Sequence, residues 1–313
     1  MGGPCGTGLT VLSGSANPAL AALVASCLGE ALAPVELERF PDGEARPVVP
    51  DVRGRDVYVV QPTCPPVDEH LVELLLLLDA SRRAGAARLT AVVPYFGYAR
   101  QDRRSRPGEP VGARLAAEVI AAAGAQRIVV VDPHTAALEA MSPVPVATLS
   151  AARALAAALG PVADAVVVAP DLGAVRLAER YAAIIGAPVA VVRKHRLTAA
   201  AVRAGPLAGD VAGRRPVIVD DMVSTGATIE AAAELLADRA GAAPPAVVAT
   251  HGLFSAGALD RLGHLGLARL LVTDTVPPPR ADAVEVCSLA WPLAEAIGRL
   301  HREERLDDVA WPG

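Results

Sequence analysis

The sequence predicts an α/β protein with two tandem domains, each a mostly parallel sheet flanked by helices. Short β-rich apolar runs alternate with longer Ala/Leu/Glu/Arg stretches of helical period, the pattern of βα units feeding a sheet buried on both faces. Hydrophobic content of 52% with only 3% aromatics means a core of Ala, Val, Leu and Ile, which favours closely packed helix-on-sheet layers. A length of 313 residues allows two or three such cores.

In chain order the strand-like runs are Asp56 to Gln61, Leu89 to Pro94, Arg127 to Val131, Ala165 to Ala169, Val189 to Val192, Pro216 to Val219, Ala246 to Thr250 and Leu270 to Thr273. Helical stretches lie between them at Val67 to Ala84, Pro110 to Ala123, Ala151 to Leu159, Ala174 to Ile185 and Thr228 to Ala240. Several of these end in Gly or Gly-Ala, as helix C-caps do. Thr90 to Ala123 reads strand, polar loop, helix, and Pro216 to Gly241 repeats that order. The Pro-punctuated segment Ser142 to Ser150 separates the two sets of units. The expected domains are residues 1–149 and 150–285, with a helix and tail over 286–313 whose packing partner the sequence does not decide.

Charge and cysteine usage exclude several classes. Lys+Arg 29 against Asp+Glu 34 gives a net charge of -5, so the basic field needed for non-specific nucleic-acid or anionic-membrane binding is missing. Cys5, Cys27, Cys64 and Cys287 are scattered without a CxxC pair, which indicates neither a zinc site nor a disulfide framework. Leu71 to Leu78 is the most apolar stretch and is far too short to span a bilayer, and no signal-peptide pattern opens the chain. A cytoplasmic protein is expected.

In open α/β sheets ligands bind beyond the carboxyl ends of the strands, so the polar residues after each apolar run are the candidates. Val217-Ile218-Val219 runs into Asp220-Asp221-Met222-Val223-Ser224-Thr225-Gly226-Ala227-Thr228 and then a helix beginning near Ile229. Ser224 to Thr228 offers hydroxyls and consecutive backbone N–H groups to a phosphate at the helix N-terminus. Asp220 and Asp221 suit the hydroxyls of a sugar, directly or through a divalent cation. Plain strand-end and capping roles need fewer groups than this loop supplies.

This nonapeptide resembles the phosphoribosyl diphosphate loop shared by type I phosphoribosyltransferases and ribose-phosphate diphosphokinases. Pro94-Tyr95-Phe96-Gly97-Tyr98-Ala99-Arg100-Gln101-Asp102-Arg103-Arg104 is nearly the diphosphokinases' PYxGYARQDR segment, and Phe40-Pro41-Asp42-Gly43-Glu44 is similar to their FxDGE segment. Similar stretches continue through Val131-Asp132-Pro133-His134, Pro170-Asp171-Leu172-Gly173, Lys194-His195-Arg196, Thr250 to Phe254 and Val272 to Thr275. The resemblance covers the chain from about Leu12 to His301 and implies two phosphoribosyltransferase-type domains.

For the ATP side the resemblance implies Arg100, Gln101 and Asp102, with Phe40, Asp42 and Glu44 supplied to a neighbouring subunit. Arginine after a strand end can stack on adenine or neutralise phosphate, whereas Pro-Asp-Gly alone is an ordinary turn. His134 and Asp171 match the family's Mg²⁺ ligands, although Mg²⁺ prefers oxygen and a His contact equally suits phosphate or bound water. Lys194 is the sole lysine in a chain whose other 28 basic residues are arginine. A compact, flexible ammonium placed just after the Val189 to Val192 strand could follow charge developing on a transferring diphosphoryl group, with Arg196 as its partner.

The implied reaction is diphosphoryl transfer from MgATP to the 1-hydroxyl of ribose 5-phosphate, giving 5-phospho-ribose 1-diphosphate and AMP in a homo-oligomer. Departures are also visible. Ser224 stands where many bacterial members have a third acid, and with Arg106-Pro107-Gly108-Glu109 it resembles the archaeal-type branch. Thr135 to Ser142 lacks the family's glutamine-rich segment. A diverged enzyme acting on a pentose phosphate as phosphorylase or hydrolase, or a non-catalytic regulatory partner, therefore stays open. A phosphoribosyltransferase would leave the Tyr95 to Arg104 segment without a role.

Lys194→Ala is expected to lower turnover by about 10²–10³-fold while leaving the melting temperature nearly unchanged. Steady-state kinetics beside a thermal melt check this, and an unchanged turnover number removes Lys194 from the mechanism.

Overall fold

The computed structural model describes residues 8–196, 202–238, 243–255, 257–279 and 281–306, with the side chains of 194–196 and 202–206 outside the description. The chain divides into two compact units. One holds Met1–Ser150, Thr275–Pro277 and Ser288–Gly313, and the other holds Ala151–Asp274 and Pro278–Cys287.

The first unit is built on a five-stranded parallel sheet of β1 (Leu9–Ser13), β4 (Asp56–Val60), β5 (Arg88–Val93), β6 (Arg127–Val131) and β7 (Val146–Leu149), in that spatial order. The strands β1 and β4 are buried along their whole length because helices cover both faces of such a sheet. Helix α2 (Val67–Arg83) turns Leu74, Leu77 and Leu78 into a core shared with Val57, Val59 and Ile128. Helix α3 (Gly112–Ala122) adds Ile120 with Ala116 and Ala117, whose small side chains let helix and sheet approach closely, and the short α4 (Leu138–Met141) adds Leu138. Between α1 (Pro18–Cys27) and β4 stands a separate hairpin of β2 (Glu36–Arg39) and β3 (Ala45–Val48), exposed or half-buried throughout.

The segment Ser142 to Ser150, expected to separate the two sets of units, contains β7. Pro143 and Pro145 both precede the four residues that pair with β6 at the sheet edge, where a missing N–H donor is tolerated.

The second unit carries a seven-stranded sheet with the order β10-β9-β8-β11-β12-β13-β14. Its strands are β8 (Ala165–Ala169), β9 (Val189–Arg196), β10 (Val202–Ala208), β11 (Arg215–Val223), β12 (Ala246–Gly252), β13 (Arg269–Thr273) and β14 (Glu285–Cys287). Within this sheet only the β9–β10 pair is antiparallel among the described strands. Helices α5 (Ala152–Leu159), α6 (Val175–Ile185), α7 (Ala227–Ala237) and α8 (Ala258–Gly263) flank it. The chain passes from β8 outward to β9 on one side, and from β11 through β12 to β14 on the other. The order therefore reverses between β8 and β11, which opens a crevice beyond their carboxyl ends.

Helix α9 (Ala290–His301) belongs to the first unit and packs on α1. Its end is fastened by a buried charge cluster. The Asp56 carboxylate, 1% exposed, takes Arg88 Nη2 at 2.6 Å and His301 Nδ1 at 2.7 Å through the same oxygen, Oδ2. Arg88 also donates to the His301 carbonyl at 2.8 Å, and the Tyr58 hydroxyl donates to Asp56 at 3.1 Å. Burial, then the Asp56 charge, pushes the Tyr58 hydroxyl far above its usual range, so it remains a donor. Asp56→Ala removes the buried acceptor shared by Arg88, His301 and Tyr58, leaving Arg88 its exposed pair with Glu303 at 3.0 Å, and is expected to cost about 1.5–3 kcal/mol. Urea unfolding is the check, and a loss below about 1 kcal/mol would show that the cluster does not hold α9.

Candidate active site

The crevice between β8 and β11 gathers carboxylates from both strands. Beyond β8, Asp171 caps a short 3₁₀ turn, its Oδ1 accepting from Gly173 N at 2.8 Å and Ala174 N at 3.2 Å. Asp220 and Asp221 lie inside β11, which continues to Val223, rather than after the strand as the sequence suggested. The extension follows from pairing with β12, in register through Met222–His251 and Val223–Gly252.

Asp220 keeps some exposure, yet protein atoms crowd it. This desolvation, and then the charges of Asp221 and Asp171, hold its carboxyl well above the ordinary carboxylate range. The Asp221 N–H donates to Asp220 Oδ1 at 2.9 Å and offsets only part of that. Asp220, with the Asp221 and Asp171 charges acting on it, is part of an electron-rich edge that a sugar's hydroxyl donors or a hard cation would relieve.

The remaining loop is short. Ser224 and Thr225 make a bend, Gly226 adopts φ +77°, and α7 starts at Ala227 rather than near Ile229. A β-carbon at Gly226 would approach Leu262 at 3.3 Å, so close packing as well as the left-handed backbone favours glycine there. No side chain caps α7, which leaves the first-turn N–H groups, including that of Thr228, available to an anion. Ser224, Thr225, Gly226, Ala227 and Thr228 thus stand together with Asp220, Asp221 and Asp171 in one unit.

The ATP-side residues fall in two places in the first unit. Arg100, Gln101 and Asp102 lie in the loop from β5 to α3. Its beginning is fixed by Thr63, whose Oγ1 accepts from Gly97 N at 2.6 Å and whose N–H donates to Tyr95 O at 2.9 Å. A β-carbon on Gly97 would meet Thr63 O at 2.6 Å, and Tyr98 takes φ +65° while its hydroxyl donates to Asp68. These restraints deliver Arg100 and Gln101 to the surface. Gln101 O receives Ala113 N at 3.2 Å, tying the loop to the first turn of α3. Asp102 sits 3.8 Å from Arg103 and is half-buried. Glu109 closes the Arg106 to Glu109 turn by accepting from Ser105 N at 2.7 Å and Arg106 N at 3.1 Å, bonds that hold its carboxyl below the usual range.

Phe40, Asp42 and Glu44 are exposed at the β2–β3 tip. Asp42 serves the turn itself, accepting from Glu44 N at 3.2 Å beside Gly43 at φ +97°. The Phe40 ring carries the Arg46 guanidinium 5.2 Å from its centroid. His134 follows β6 by three residues and is exposed. Lys194 and Arg196 lie within β9, which runs past the expected end at Val192 by pairing with β10, with Lys194 opposite Ala204. Their side chains lie outside the described residues.

The donor set for a cation fits magnesium in kind. Mg²⁺ is held by one or two carboxylates plus substrate phosphates and waters rather than by an all-protein cage. Among the described residues no three His, Cys, Asp or Glu side chains form such a cage, and Asp171 offers oxygen close enough for its charge to act on Asp220.

Comparison with known proteins shows the family and the fold. Residues 9–124 match the N-terminal domain of ribose phosphate pyrophosphokinase, and residues 197–309 match the phosphoribosyl synthetase-associated domain. The ribose-phosphate pyrophosphokinase of Caldanaerobacter subterraneus subsp. tengcongensis is 40% identical over 94% of this chain and 95% of its own length. That of Gloeobacter violaceus is 41% identical over 96% and 92%. The chain belongs to the ribose-phosphate pyrophosphokinase family. The crystal structure of phosphoribosylpyrophosphate synthetase from Mycobacterium smegmatis superposes with a TM-score of 0.88 at 36% identity, covering 95% of this chain and all of that one. The two-domain α/β fold expected from the sequence is therefore that of the pyrophosphokinases.

Sequence reasoning named Thr250 to Phe254 without a role and stopped short of Ser255, whose hydroxyl lies 3.1 Å from that of Ser224. A hydroxyl placed soon after a neighbouring strand end was the available signal.

A raised carboxyl stabilises the fold below the ordinary carboxylate range, and that contribution is lost as pH rises through the raised value. Asp220→Asn cannot ionise. It is expected to raise the melting temperature at neutral pH by about 2–4 °C and to flatten its fall over that window, in buffer without metal or substrate. Melts from pH 4 to 8 check this, and a lower melting temperature at pH 7 would show that the Asp220 charge carries no folding cost.

Proposed function

We propose that this chain makes 5-phospho-ribose 1-diphosphate and AMP from MgATP and ribose 5-phosphate, as a ribose-phosphate pyrophosphokinase, with the roles below. The observation carrying the reading is the convergence of Asp171, Asp220 and Asp221 with the uncapped Ser224 to Thr228 turn in the strand-order crevice.

In this reading the N–H groups and hydroxyls of Ser224 to Thr228 hold the 5-phosphate. Asp220 and Asp221 accept hydrogen bonds from ring hydroxyls, which orients the anomeric oxygen toward the β-phosphorus of ATP. Arg100 and Gln101 bind the nucleotide, joined by Asp102 and by Phe40, Asp42 and Glu44 from a neighbouring subunit of a homo-oligomer. Lys194 and Arg196 move with the charge of the diphosphoryl group as it transfers. Asp171 and His134 are the residues that would hold Mg²⁺ or its bound water, and that ion supplies charge neutralisation on the phosphates. No covalent nucleophile is needed, and fixing both substrates contributes about 7–11 kcal/mol of the barrier lowering.

Ser224 and the closed Arg106 to Glu109 turn support placing the chain near the archaeal-type branch. A cytoplasmic setting fits the free thiols of Cys27 and Cys64.

The deciding assay is AMP release from MgATP with and without ribose 5-phosphate, with the sugar product followed by phosphorus NMR. AMP and a ribosyl diphosphate are expected in equal amounts. No AMP from folded protein that binds pentose phosphate would favour a repurposed homologue.

A further inference from the structure

The turn proposed to hold the 5-phosphate is gripped from behind by the loop that follows β12. Leu253 N and Phe254 N both donate to Val223 O at 3.0 Å, and Ser255 N donates to Ser224 O at 3.0 Å. One carbonyl receiving two consecutive N–H groups requires an unusual backbone, and Phe254 provides it at φ +43°. A bulky residue in the left-handed region is strained and persists only where its surroundings enforce it. The enforcement is visible: the Phe254 ring lies over Gly252, where a β-carbon would come within 2.6 Å of it. Behind this loop, Arg261 on α8 pairs with Glu230 on α7 at 2.5 Å, and Leu262 packs under Gly226.

Backbone bonds alone would join the two loops. The structure adds a side-chain contact between half-buried hydroxyls, Ser224 Oγ and Ser255 Oγ, 3.1 Å apart. A hydroxyl has one proton and two lone pairs, so each serine can bond the other and still address a third group. Paired with Ser255, the Ser224 side chain loses rotamer freedom before any phosphate arrives, and that ordering cost is removed from binding.

We propose that Ser255 is a positioning residue for the ribose 5-phosphate turn, acting through Ser224 to hold that turn in its phosphate-binding form. The role rests on the function proposed above and adds to it a contributor that does not itself touch substrate. Because the contact organises the ground state, its loss weakens ribose 5-phosphate binding and leaves the chemical step nearly intact.

The test is steady-state kinetics of the full-length enzyme with ribose 5-phosphate varied at saturating MgATP, for wild type, Ser255→Ala, Ser255→Thr, Ser224→Ala and the double alanine variant, each accompanied by a thermal melt. Ser255→Ala is expected to raise KM for ribose 5-phosphate about 3–10-fold, the effect of one hydrogen bond, with kcat within about twofold and KM for ATP unchanged. Ser255→Thr, which keeps the hydroxyl, is expected to restore the wild-type KM. In the double variant the effect of Ser255→Ala should largely vanish, since the residue it acts through is already gone. An active wild type whose KM is unmoved by Ser255→Ala, or a full Ser255→Ala effect on top of Ser224→Ala, overturns the positioning role alone. Should Ser255→Ala fail to fold, Ser255→Cys, which keeps the volume but replaces the hydroxyl by a weak hydrogen-bonding thiol, takes its place in the same comparison, and a KM equal to wild type in Ser224→Ala overturns the role. A folded wild type that releases no AMP overturns the enzymatic reading and this role with it.

Discussion

The second unit depends on one topological constraint, the reversal of strand order between β8 and β11. Two neighbouring parallel strands whose chains depart in opposite directions cannot be bridged by a single crossover at their carboxyl ends, so the space above them stays open. The polar groups in that space come from a strand and from two turns that lead into helices. Asp171 caps a turn beyond β8, the aspartate pair is carried by β11, and the glycine turn feeds α7. The sheet beneath is apolar and almost wholly buried, with Val166 to Val168 and Val217 to Val219 inaccessible to solvent, so the crevice has a rigid floor.

Electrostatics in the crevice work against the fold and in favour of a ligand. Burial, and then the charges of Asp221 and Asp171, raise the proton affinity of Asp220, which is a local cost. The first unit treats buried charge differently: Asp56 is surrounded by Arg88, His301 and the Tyr58 hydroxyl, and its charge is matched within the protein. The contrast separates an acid kept for structure from acids awaiting hydroxyls or a cation.

Much of this was legible in the sequence, because doubly buried parallel strands leave continuous Val/Ile/Leu runs and the site loops sit directly after them. What escaped did so for local reasons. The β2–β3 hairpin shows no buried face, so Glu36-Leu37-Glu38-Arg39 carries no strand pattern. The β10 strand contains Gly205-Pro206, which reads as a turn, and the pairing register with β9 shifts there. Pairing with that same β10 carried β9 beyond its apolar residues to Arg196, and pairing with β12 carried β11 through its acids to Val223. In each case a partner strand supplied what the run of side chains could not announce. The Ser224–Ser255 contact joins residues 31 apart and has no local pattern at all.

The fastening of α9 bears on how the chain is made. The bond between Asp56 and His301 closes a loop of 245 residues, and the whole second unit lies inside it. During synthesis from the N-terminus, the first unit's sheet emerges early yet waits for its last helix until nearly the entire chain has left the ribosome. The second unit, contained in the stretch between, can complete its own sheet meanwhile. The two are thus translated in one order and finished in the other, so a chain truncated before α9 would leave the surface of α1 uncovered while the crevice unit is already formed.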